Sequence, residues 1–265
     1  MSGDEGFVFI LAIVAALFTW GHWFFRLATV SPVWIKERRR TPLWTFPIIS
    51  AAALFYILKT YSSFDVKDSP TYLVFYMIFG AAWVGLWARL FPAFGLSARD
   101  DVLERHNAAA AWAVGGALLG ATLSFAGANI GDGPGWWVVV YCSLHSIAGF
   151  FVVWGLANDI GNVSESITID RDLASGIRFA GFLTACGLIL GRAVAGDWVS
   201  AEEATRTFIT IAWPVIGLAV LAGVLDKASR PTAEQPLRSV ATHGVLPALA
   251  YIVGAVAYVL SRGSW

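Results

Sequence analysis

The chain has 265 residues, 57% of them hydrophobic and only 14% charged, against roughly 45–50% apolar and 25% charged in a soluble domain, so the balance points to a bilayer. Its 18 basic and 18 acidic side chains cancel, which removes the positive footprint of a nucleic-acid binder. Cys142 and Cys186 sit inside apolar stretches and form no CxxC pair, so neither a disulfide framework nor a zinc site is expected.

The opening residues, MSGDEG, are acidic where a signal peptide needs a basic segment. The first apolar run is therefore expected to stay in the membrane. A helix needs about 20 apolar residues to cross the hydrocarbon core. Eight stretches qualify, at about 6–30, 43–61, 71–91, 107–128, 135–158, 174–195, 205–225 and 240–261. Turn-forming or charged segments separate them, among them KERRRTP from Lys36, FDVKDSP from Phe64, GDGPG from Gly131 and RPTAEQP from Arg230. The expected architecture is an all-α integral membrane bundle forming one transmembrane domain over residues 1–265.

Basic residues set orientation. Lys36, Arg38, Arg39, Arg40, Arg89, Arg99, Arg105, Arg171, Lys227, Arg230 and Arg238 fall on the odd-numbered loops. Only Lys67, Arg192, Arg206 and Arg262, with Lys59 near a helix end, fall on the other side. The bias places the odd loops in the cytoplasm and both termini outside it, as in a multi-pass protein of the bacterial inner membrane. Trp34, Trp44, Trp136, Trp137, Trp198 and Trp265 fall near proposed span ends, as an interfacial aromatic belt should. Trp83, Trp112 and Trp154 do not, and are expected to pack between helices.

The segment Glu104 to Gly131, ERHNAAAAWAVGGALLGATLSFAGANIG, has a looser copy from Asp170 to Asp197, DRDLASGIRFAGFLTACGLILGRAVAGD. At an offset of about 66 residues Arg105 falls on Arg171, and a slip of one sets Gly131-Asp132 on Gly196-Asp197. Two spans separate the copies, so they run in the same direction, a parallel duplication about an axis along the membrane normal. Its core spans about 71–198, with further helix pairs at 6–61 and 205–261. Gly116 and Gly120 form one GxxxG, and Gly187 and Gly191 another. Small residues let helices approach closely in lipid, within the chain or in a homo-oligomer.

Residues 71–198, carried by the two segments just quoted and by the Asn107–Ala111 run that enters a small-residue helix, resemble domain-of-unknown-function family 350. This is a group of uncharacterised bacterial inner-membrane proteins. The second copy departs from the pattern at Asp172-Leu173, and the outer helices exceed the usual four spans. The resemblance implies topology and compartment, and brings no catalytic residues with it.

Ionisable residues within spans are costly and are candidates for function. Arg178 opens the sixth span and could face the interior to pair with Asp172 or Glu104, or could snorkel, as Arg26 and Arg192 are expected to do. Asn107 and Asp172 are placed to cap equivalent helices. Beside Arg105 and Arg171, two parallel helix N-termini would also make an anion-attracting vestibule. Asp132 and Asp197 would then mark the opposite mouth. His22 and His145 could serve as axial haem ligands only at matching depth on facing helices. No two histidines recur on one helix at a di-haem spacing, so no cofactor is expected. No mid-span lysine suits a retinal, and GxxxxGK[ST], HExxH and GxSxG are all missing. The chain does not read as an enzyme. Two classes remain. One is a channel or transporter for ions or a small solute. The other is a non-transporting scaffold or envelope sensor that recruits cytoplasmic proteins through Lys36–Arg40 and the Asn158–Arg171 loop. The first requires a polar cavity between the copied helices, and the second a dry seam.

Overall fold

In the computed structural model, residues 2–29, 41–230 and 239–263 are described. The basic run Lys36 to Arg40, with Trp34, Arg238 and Trp265, lies outside the described residues. The rest is all-helical, with eight stretches long and apolar enough to cross a membrane. In order these are α1 (Gly3–Thr29), α2 (Thr41–Tyr61), a single-turn α3 (Phe64–Lys67) and α4 (Pro70–Trp87). A 3₁₀ segment, Ala88–Phe94, prolongs α4. There follow α5 (Ala108–Gly127), α6 (Trp136–Gly161), a short α7 (Val163–Thr168) and α8 (Leu173–Val194). Next come α9 (Ala201–Ala212), α10 (Pro214–Ala228) and α11 (Leu246–Ser261).

Local chemistry sets the boundaries. Ser69 accepts a hydrogen bond from the Tyr72 N–H at the start of α4, and Pro70 follows at the first helical position, where its missing N–H costs nothing. Ser200 caps α9 through the Glu203 N–H. The seventh stretch differs from expectation. It begins earlier, at Ala201, and it is broken at Trp213. Pro214 has no amide hydrogen to give to the carbonyl one turn back, so α9 stops and α10 restarts. The expected loop Asn158–Arg171 contains α7, introduced by Asn162 in a left-handed conformation (φ 48°).

Burial ranks the helices. The apolar windows of α5 and α8 are each 78% buried, that of α6 56%, and those of the terminal pairs 11–28%. The middle of the chain therefore holds the core, with α1 laid on α4, α2 on α5, α10 on α6 and α11 on α8. Contacts that climb both helices of a pair together show parallel packing. Phe46 meets Trp112 across α2 and α5, while Phe182 meets Tyr251 and Arg192 reaches Arg262 across α8 and α11. α2, α5, α8 and α11 thus form a row of four helices pointing the same way. α4 and α6 run against that row and fill it with aromatic rings, such as Phe79 on Phe125 and the fully buried Trp154 on Phe179. Outside, Phe7, Leu17, Ile48, Val224, Val253 and Leu260 are among many large apolar side chains left exposed. That is far more than a soluble monomer presents.

Candidate functional site

The centre of the molecule is the seam between α5 and α8. All four glycines of the GxxxG pairs lie in it. A Cβ on Gly116 would stand 2.3 Å from the Ala180 Cα, and one on Gly120 2.4 Å from the Leu183 carbonyl oxygen. A Cβ on Gly187 would be 2.1 Å from the Gly120 oxygen, and one on Gly191 2.4 Å from the Leu123 oxygen. Gly127 and Gly176 repeat the pattern at the two ends, against Gly191 and Ala109. The two backbones touch along their whole length, so the seam holds no polar cavity. These glycines are turned toward one another within the chain and are not offered to a second copy.

Both helices open with the same construction, 65 residues apart. Asn107 accepts from the N–H groups of Ala109 and Ala110, and Asp172 from those of Ala174 and Ser175. The residue before each cap, His106 (φ 54°) and Arg171 (φ 55°), is left-handed. The cap amides donate backward in the same way, Asn107 to the Asp101 carbonyl and Asp172 to the Ser166 carbonyl. The matching step is thus 65, and His106 rather than Arg105 corresponds to Arg171. The caps are also tied together, because the Asn107 amide nitrogen donates to the Ile167 carbonyl at 2.6 Å. Arg105, 57% exposed, pairs with Asp101 at 3.2 Å. Arg171 is exposed. The structure gathers Asn107, Asp172, Arg105 and Arg171 at one end of the seam, with the two cap side chains occupied by backbone.

Arg178 faces inward, as one of the two alternatives required, but its partner is neither Asp172 nor Glu104. Its guanidinium pairs with Asp226 of α10, and both side chains are 2% exposed. It also donates to the Ser175 hydroxyl at 2.9 Å and to the carbonyl of His243. Ser175 in turn donates to Asp172 at 2.8 Å. A chain of polar groups therefore runs from the α8 cap to α10. Two buried atoms beside it, Asp226 Oδ2 and the Tyr251 hydroxyl, have no hydrogen-bond partner among the described residues. Sequence reasoning missed Asp226 and Ser175. The signal for Asp226 was present, as the one acidic residue in the apolar run Pro214–Ala228.

At the far end of the seam two glycine turns match in conformation. Gly131 (φ 102°) and Gly196 (φ 135°) both turn left-handed, and a Cβ on Gly131 would strike the Gly196 carbonyl carbon at 2.3 Å. The Asp132 N–H donates to Asp197 Oδ1 at 2.8 Å, and the Trp198 N–H to the Asp132 carbonyl at 2.7 Å. A cavity of about 140 Å³ opens here, lined by Asn129, Asp132, Asp197, Glu203 and Cys142 among others. Asn129 Oδ1 is buried without a hydrogen-bond partner among the described residues. The two aspartates predicted for this mouth do come together, joined by the Asp132 backbone N–H and the Asp197 carboxylate.

His145 is engaged on both ring nitrogens, by the Tyr141 carbonyl at 2.9 Å and the Thr205 hydroxyl at 3.4 Å. His22 lies elsewhere, in a cavity with Arg26, Arg89 and Arg99. Among the described residues no cluster of three or more His, Cys, Asp or Glu could hold a metal ion. Comparison of the chain with protein-family models, with curated proteins and with solved structures gives no match.

Proposed function

We propose that this chain is a non-transporting membrane scaffold or sensor, whose eight long helices span the bilayer and whose central pair is a closed structural seam. The observation that carries the reading is the approach of Gly187 to Gly120, where backbone meets backbone and leaves no room for water or solute. The exposed apolar belt on the outer helices supports insertion. Matching caps, left-handed residues and glycine turns at a constant step of 65 residues support a parallel duplication of a two-helix unit. The basic bias of the odd loops supports cytoplasmic exposure of the cap end. Residues 71–198 and their family resemblance favour the bacterial inner membrane. At the cap end, α7 and the turn after it present Glu165, Ile169 (72% exposed), Asp170 and Arg171, a mixed apolar and charged surface suited to a cytoplasmic protein partner. Sealed between α5 and α8, the GxxxG glycines leave only outer faces for a homo-oligomer.

The test is reconstitution into liposomes with flux measured for several ions and small solutes. Flux no greater than in protein-free vesicles is expected. A second reading, the channel or transporter, has one observation in its favour: the buried Arg178–Asp226 pair with two unpartnered polar atoms beside it, between α8, α10 and α11 rather than in the seam. Flux abolished by Asp226→Asn would establish that reading in place of the scaffold.

A further inference from the structure

The second cavity at the cap end has a composition that the seam does not explain. It encloses about 260 Å³ and brings together His22 and Arg26 of α1, Arg89 of the 3₁₀ segment and Arg99 of the π-helical segment Ala98–Glu104. Arg99 is compensated, by Glu104 at 2.9 Å and Asp100 at 3.7 Å. Arg26 and Arg89 have no carboxylate partner among the described residues, and Arg89 rests on the Phe18 ring at 4.4 Å. Arg26, half-buried, and Arg89, exposed, line one concavity together with Arg99. The cavity at the other end of the molecule, with Asp132, Asp197 and Glu203, carries the opposite charge.

Deeper along the same helices lies a groove of about 300 Å³, lined by Trp20, Phe24, Pro47, Leu54, Met77 and Gly80 among others, almost entirely apolar. Trp23 lines the cationic pocket and Trp20 the groove, and their rings stand 5.8 Å apart. Their indole N–H groups are already spent on the carbonyls of Ala81 (2.8 Å) and Leu43 (3.3 Å), so they offer only ring faces. A cationic pocket at the depth of a helix end, with an apolar groove below it, matches one kind of occupant. We infer that this chain binds an anionic phospholipid, with its phosphate at Arg26 and Arg89 and an acyl chain along α1, α2 and α4. The inference rests on the membrane reading of the preceding section, and on nothing about transport or scaffolding.

The test uses the full chain purified in a non-ionic detergent and examined by native mass spectrometry. The probes are phosphatidylglycerol, phosphatidylcholine of the same acyl chains, and inorganic phosphate. Phosphatidylglycerol should be retained in clear preference to phosphatidylcholine, and phosphate alone should not be retained. An arginine beside an anionic headgroup is worth about five-fold in affinity, so Arg26→Gln/Arg89→Gln should reduce retention by at least about ten-fold. Ala51→Phe, which narrows the groove and leaves both arginines in place, should weaken retention as well. Equal retention of the two lipids by the unaltered chain overturns the proposal. So does binding of phosphate alone as tight as that of the lipid, with no effect of Ala51→Phe, because that outcome assigns a free-anion site. The membrane reading fails separately, if alkaline carbonate strips the protein from membranes.

Discussion

Gly127 and Gly191 face each other so closely that a Cβ on Gly127 would lie 2.0 Å from the Gly191 carbonyl oxygen. Neither partner of that contact is a flexible side chain, so the strain of any added atom falls on the helix axes. Gly127→Ala, Gly120→Val and Gly187→Ala should each lower stability by about 1–3 kcal/mol or more, the usual cost of overpacking. Gly217→Ala in α10 is the control, since nothing lies within 4 Å of its would-be Cβ. There, helix propensity alone predicts a gain of about 0.5–1 kcal/mol. Thermal unfolding in detergent distinguishes the two groups.

The Arg178–Asp226 pair makes a different prediction. Removing one partner strands a buried charge, so Arg178→Met or Asp226→Leu alone should cost about 3–5 kcal/mol. The double variant should recover most of that loss, because the site then contains no unpaired charge. A double variant no more stable than either single one would mean that the hydrogen bonds to Ser175 and His243, rather than the ion pair, hold α8, α10 and α11 together.

Asn107 has two tasks, and single substitutions separate them. Asn107→Asp keeps the oxygen that caps α5 but loses the donor to the Ile167 carbonyl. It should cost about 1–3 kcal/mol through that stranded acceptor. Asp172 has only the capping task and its bond from Ser175, so Asp172→Asn should cost less than Asn107→Asp. Equal losses in denaturation curves would count against the tie between the two caps.

At the opposite end, Asp197→Asn retains a side-chain oxygen to accept the Asp132 N–H and should leave stability nearly unchanged. Asp197→Ala removes the acceptor at an exposed site and should cost no more than about 0.5–1.5 kcal/mol. A much larger loss would show that this turn organises the cavity lined by Asn129 and Cys142.

The apolar stretches were legible because hydropathy over about 20 residues is a local property, and all eight fall within a few residues of expectation. The break inside the seventh, at Pro214, was not read, because its apolar surroundings masked that local signal. The caps at Asn107 and Asp172 could be read as well, since capping involves residues only two or three apart. Arg178 could be read as inward-facing but not matched, because its partner Asp226 lies 48 residues away and Asp172 was nearer at hand. The offset of 66 came from aligning Arg105 with Arg171. Backbone conformation aligns His106 with Arg171 instead, since a left-handed residue is defined by φ and not by the charge it carries.

The parallel course of α5 and α8 also fixes an order of assembly. They cannot be joined by a tight hairpin, because two parallel helices need an intervening antiparallel element, and here that element is α6. When α5 has been made, its glycine face has no partner until the ribosome has added some 65 further residues. If the chain spans a bilayer, as proposed, its helices insert one by one and then dock laterally, the general route for membrane bundles. In this chain the docking step comes after two more helices exist, and the nascent α5 must wait with bare backbone on its surface. A truncated chain ending before Leu173 would expose that face to any neighbour carrying a similar glycine stripe, which makes the half-synthesised protein the stage most open to mispairing.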